Sequence, residues 1–99
     1  MALSIFEYDD YLEYLEAYAA SLPKRGYGFR SQIARELNCQ TAYVTQVFKR
    51  QAHFSLDQAE IINRICRHDA MSADYFLLMV LLARAQTEEL RRRWRKQMD

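Results

Sequence analysis

Glycine and proline are nearly missing from this chain, two and one among 99 residues. Sheets built on tight hairpins need both, so an all-β domain is excluded. Long apolar runs are missing too. No stretch of 18 apolar residues occurs, and the acidic opening MALSIFEYDD lacks the basic-then-apolar order of a signal peptide. No membrane association and a cytoplasmic location are the expectations. Cys39 and Cys66 are too few for a disulfide framework or a metal cluster, and His53 and His68 add no ligand spacing. Two reduced, packing thiols and no metal are expected. A Gly-rich phosphate loop and a Ser/His/acid set are absent as well, which argues against an enzyme and against a bound cofactor.

What is present is apolar surface in helical register. Hydrophobic residues make up 51% of the chain, enough for one modest core, so residues 1–99 are read as a single domain. The net charge of +1 is unevenly spread. Residues 1–23 carry Glu7, Asp9, Asp10, Glu13 and Glu16 and no basic residue. Residues 24–50 carry Lys24, Arg25, Arg30, Arg35, Lys49 and Arg50 against Glu36 alone. A basic middle on an otherwise neutral domain suits a nucleic-acid partner, although charge runs are also ordinary solvated faces.

Helix signals follow one another from residue 4 onward. Ser4 with Glu7 fits a capping box, with Leu3 and Tyr8 as its hydrophobic staple. Tyr8, Tyr11, Leu12, Leu15, Tyr18, Ala19 and Leu22 recur at three and four residues, predicting a first helix to about Ser21. Pro23, Gly26 and Gly28 end it. Short helices are predicted at about 30–37 and 42–50. Ser55 and Gln58 form a second capping box, opening a helix with Leu56, Ala59, Ile62, Ile65 and Cys66 inward. Ser72 is expected to cap the stretch ADYFLLMVLLARA. Thr87 with Glu88 and Glu89 either caps a sixth helix or decorates a continuous one. The fold class is all-α, a five- to six-helix bundle.

The segment IARELNCQTAYVTQVFK, residues 33–49, breaks its helical repeat for about one turn and resumes it. Ile33, Ala34 and Leu37 share one face, and Val44, Val47 and Phe48 share the next. Two short helices crossing steeply need a small residue at the contact, which Ala34 supplies. The connector needs a residue that tolerates positive φ, and Asn38 is the best choice after Gly. Thr41 is expected to cap the second helix. Together these features specify a helix-turn-helix over about 30–50, although a plain helical hairpin shares the same periodicity.

On IARELNCQTAYVTQVFK, FSLDQAEIINRIC and MSADYFLLM, residues 30–80 resemble the lambda-Cro/C1-type (Xre-like) helix-turn-helix family of bacterial and phage transcription regulators. The opening SIFEYDDYLEYL resembles a group of bacterial proteins that join such a domain to a longer C-terminal region. The resemblance implies a lambda repressor-like bundle whose second short helix reads double-stranded DNA. Asn38 stands where that family mostly has Gly, and Arg50-Gln51-Ala52 where Gly and a basic pair are common. Base contacts are then expected from Gln40, Thr41, Tyr43, Thr45 and Gln46, because Gln pairs with adenine and Thr meets a polar edge or the thymine methyl. Phosphate contacts are expected from Lys24, Arg25, Arg30, Ser31, Gln32, Lys49 and Arg50. Tyr43 has a second role open to it, packing against its neighbours.

YFLLMVLLARA is apolar nearly all round. One face serves a core, so Phe76, Met79, Val80 and Leu81 are expected at a homodimer interface within a C-terminal helix over about 73–97. The alternative is a sixth helix folding back to cover them. RRRWRK, at 91–96, reads as a helix end complementing its dipole, a DNA-backbone contact or a membrane-surface element. The function expected is a sequence-specific, repressor-type regulator. A helical protein–protein module of adaptor or antitoxin type is the alternative, and polar and basic residues over 40–50 distinguish the two.

Overall fold

The computed structural model describes residues 3–99. These form six α-helices: α1 Tyr11–Ser21, α2 Phe29–Leu37, α3 Thr41–Phe48, α4 Leu56–Ile65, α5 Ala70–Arg84 and α6 Glu88–Met98. Short 3-10 turns lie at Ile5–Glu7 and Pro23–Gly26, and no strand occurs among the described residues. No helix among them is long and apolar enough to cross a membrane.

Carboxylates open two of the helices, α1 and α5, and hydroxyls two others, α4 and α6. Asp10 caps α1 by accepting from the N–H groups of Leu12 and Glu13 at 2.8 and 3.2 Å. The Ser4–Glu7 box does not form, and Ser4 makes no side-chain cap. Likewise Asp69 caps α5, taking the N–H of Ser72 at 2.8 Å, so Ser72 lies inside the helix it was expected to open. A charged acceptor complements the helix dipole better than a hydroxyl. The box of Ser55 and Gln58 is present in both directions, at 3.1 and 2.9 Å. Leu56, the first residue of α4, stays exposed instead of turning inward. Thr87 accepts from the Leu90 N–H and opens a separate sixth helix.

Three helix ends share one device. After α2, the Cys39 N–H reaches Ala34 O (2.9 Å) and the Asn38 N–H reaches Arg35 O (3.2 Å), with Asn38 at φ 54°. The same paired bonds close α3 around Arg50 (φ 65°) and α4 around Arg67 (φ 57°). These are Schellman endings, whose left-handed position is ordinarily glycine. This Gly-poor chain fills it with Asn and Arg. Gly26 is kept where no substitute fits, since a Cβ there would lie 2.6 Å from Ala19 O.

The core is one cluster drawn from Ile5, α1–α5, Phe54 and Cys66. α5 runs through it, flanked by α4, by α1, by the Ile5–Glu7 turn and by α6. That arrangement corrects the interface expectation. Phe76, Met79 and Val80 are 0%, 1% and 0% exposed and belong to the chain's own core, while Leu81 is half-buried. The central face of α5 is buried by the chain itself, while Leu77 and Leu78 beside it stay half-buried. Tyr75 adds a hydroxyl bond to Tyr8 O, tying α5 to the N-terminal segment.

The buried polar groups are paired. The Tyr14 hydroxyl lies 2.7 Å from His68 Nε2, and His68 Nδ1 lies 2.7 Å from Asn63 Oδ1. The Asn63 amide nitrogen donates to Glu60 Oε1 and Ala73 O, so its oxygen faces the imidazole and accepts from Nδ1–H. Nε2 is then free to accept the Tyr14 proton.

Candidate nucleic-acid interface

α3 divides cleanly into two sides. Val44 and Val47 are fully buried, and Phe48 is half-buried. Thr41, Ala42, Gln46 and Lys49 are exposed and Thr45 is half-buried, at spacings that put all five on one helical face. None of them makes a side-chain bond or ion pair within the described residues. Gln40, exposed, precedes them as the extended N-cap residue. Thr41 was expected to occupy that position. It is the first helical residue instead, and no side chain caps α3. Ala42 is the position that residue chemistry alone overlooks. Its spacing of three, four and seven residues from Thr45, Gln46 and Lys49 was the available signal.

Tyr43 belongs to the other side. Its hydroxyl donates to His53 O at 2.7 Å and lies 3.0 Å from Gln58 Oε1, and its ring meets Phe54 edge-on at 6.1 Å. It latches α3 to the start of α4, which removes it from the residues able to reach a base. Arg84 supports the same loop by donating to Phe54 O at 3.1 Å.

The start of α2 lies beside the end of α3. Gly28 is its N-cap residue at φ 86°, and no side chain caps the helix. Arg30 and Ser31 are exposed there, with Gln32 half-buried. The Arg30 guanidinium sits 4.2 Å from the Phe48 ring centroid, a cation–π contact that orients it over the end of α3. Arg25, Arg30 and Ser31 line a cleft of about 410 Å³, with Glu16 on its wall. Lys24 and Arg25 precede it, both exposed and at φ 57° and 55°. This groups Arg25, Arg30 and Ser31 of the expected phosphate set. A helix N-terminus with free N–H groups beside two guanidinium groups is suited to an anionic oxygen.

Arg50 stands apart from that group. It pairs with Asp10 at 2.8 Å, and Glu13 and Glu16 lie near enough to act on its charge. Burial pushes the Asp10 carboxyl up, but Arg50 and the Glu13 and Leu12 N–H groups outweigh that and hold it below its ordinary pKa. Arg50 therefore brings less free charge to a phosphate than Lys49 does.

The Tyr14–His68–Asn63 chain has the connectivity of a nucleophile, base and orienting group. Its chemistry runs the other way. Burial raises the Tyr14 hydroxyl pKa and lowers that of His68, so neither is activated for proton abstraction. Burial likewise pushes the Cys66 thiol up to about 12. Among the described residues no group of three His, Cys, Asp or Glu side chains could hold a metal ion. No family model, curated protein or solved structure matches the chain.

Proposed function

We propose that the protein is a sequence-specific DNA-binding regulator of the helix-turn-helix type, with α2 as the supporting helix and α3 in the major groove. One observation carries this reading. The outward face of α3 is mostly polar, cationic at Lys49 and free of internal side-chain bonds, while Val44 and Val47 are buried on the opposite face. Any solvated helix carries a polar outer face; the cation at its end and the unengaged Thr45 and Gln46 are what suit this one to a duplex. Gln46 and Thr45 are the base readers, Gln40 and Thr41 stand at the leading end, and Ala42 is the methyl suited to thymine. Lys49, Arg30, Ser31 and Arg25 take the phosphates and set position, not sequence.

Selection of bound duplexes from a random pool tests it. The wild-type chain enriches a defined site, and Gln46→Ala broadens preference at one position, since a bidentate pair discriminates by about 1–3 kcal/mol. Recovery of an unenriched pool removes the base-reading role. A two-fold pair would place two α3 helices about one DNA turn apart. With Phe76, Met79 and Val80 in the core, any pairing uses other residues. The adaptor reading draws on Phe6 and Met71, 50% and 73% exposed beside Leu78. It takes over if α3 substitutions leave DNA affinity unchanged.

A further inference from the structure

α6 concentrates cations as no other helix among the described residues does. Arg92, Arg93, Arg95 and Lys96 are all exposed and project from one broad face, while the half-buried Arg91, Trp94 and Met98 turn inward. Like charges three and four residues apart, such as Arg92 with Arg95 and with Lys96, weaken an isolated helix. The C-terminal dipole offsets part of this. Among the described residues only Arg91 of this stretch has an ion-pair partner, Glu88 at 3.2 Å, and no acid lies between Leu90 and Met98. Glu88, Glu89 and Asp99 lie a turn away at the two ends of the helix, yet none of the four cations forms an ion pair among the described residues, which leaves a cationic ridge open to a partner.

We propose that this outer face of α6 is a second DNA contact, binding the phosphate backbone of a duplex without regard to sequence. The occupant is argued from charge and shape. Planar guanidinium groups match phosphate oxygens in pairs, and three of the four cations are arginine. The ridge is also separate from the α3 face. α6 packs chiefly on α5, whereas α3 packs on α2. The α6 contact therefore stands or falls independently of base reading by α3.

Fluorescence anisotropy of the full chain with a random-sequence duplex, across a salt series, tests it. A fourfold R92A/R93A/R95A/K96A variant is compared with T45A/Q46A/K49A. Each phosphate contact adds about 0.9 to the slope of log affinity against log salt, so losing four flattens it by about 3–4. A fourfold Arg/Lys exchange variant that keeps every charge (R92K/R93K/R95K/K96R) retains the slope, which separates charge from folding. If the alanine variant binds as wild type while the α3 variant fails, the α6 contact is overturned and the α3 reading survives. If the α6 variant loses slope and the α3 variant keeps nearly all of it, the α6 contact holds, and base reading by α3 is decided by the selection experiment alone. A mass in light scattering without DNA that falls in the alanine variant assigns the ridge to a second copy and overturns the proposal.

Discussion

Arg67 is the sharpest place to test how this chain manages without glycine. It occupies the left-handed position of the α4 ending at φ 57°, is exposed, and makes no ion pair among the described residues. A left-handed L-residue costs about 1–2 kcal/mol, whereas Gly adopts that backbone freely. Gly also loses more freedom on folding, a penalty of about 0.5–1 kcal/mol. Arg67→Gly is therefore expected to stabilise the fold by about 0.5–1 kcal/mol, raising the melting temperature by about 2–8 °C for a chain of this size. Arg50→Gly gains the same backbone relief but loses the Asp10 ion pair, which contributes about 0–1 kcal/mol at the surface, so its net effect is smaller. Asn38→Gly changes little, because Asn already tolerates φ 54°. Thermal and denaturant melts followed by circular dichroism give all three values. Loss of stability in Arg67→Gly, or a larger gain at Asn38 than at Arg67, would refute the reasoning.

Three further outcomes are expected. Tyr43→Phe removes the bond to His53 O and should cost about 1 kcal/mol in denaturant melts while leaving base preference intact; altered preference would return Tyr43 to the DNA surface. His68 has its pKa lowered by burial, with Asp69 pulling the other way. Because the folded value lies below the unfolded one near 6.5, the unfolded chain binds the proton first. Its contribution is complete above pH 6.5 and is lost as pH falls toward the folded value, at no more than about 1.4 kcal/mol per pH unit for one proton. His68→Gln should flatten that part of the stability profile, and an unchanged slope would clear His68 of it. Met79→Ala, at a fully buried site, should cost about 2–5 kcal/mol at every protein concentration. A loss seen only on dilution would mean that α5 is an interface after all.

Apolar periodicity made the helical class legible, because buried stripes at three and four residues have few other meanings. Asn38 was legible for the same reason in reverse: a residue tolerant of positive φ stood where the repeat lapsed. Arg50 and Arg67 were not, since nothing in an arginine announces a left-handed backbone, and only the surrounding bonds hold it there. Caps were half-readable. Ser55 with Gln58 had no nearby rival, whereas Ser4 and Ser72 each lost to an Asp close by. α5 was misread because its composition is that of an interface helix as much as of a central one. What decided it was packing by α4, α6, α1 and the Ile5–Glu7 turn, with Phe76 set against Tyr11, Tyr14 and His68, long-range events with no local signature. On the candidate surface the outward residues of α3 followed from spacing. The engagement of Tyr43 and Arg50 depended on partners ten and forty residues away.

The most direct test of the central claim is amide chemical-shift mapping of the chain as its selected duplex is added. Contact through α3 predicts that the largest changes fall on Thr41, Ala42, Thr45, Gln46 and Lys49 and on the start of α2 at Arg30 and Ser31, whether or not α6 also responds. Changes confined to the Phe6–Met71 side, or none at saturating duplex and low salt, would contradict it.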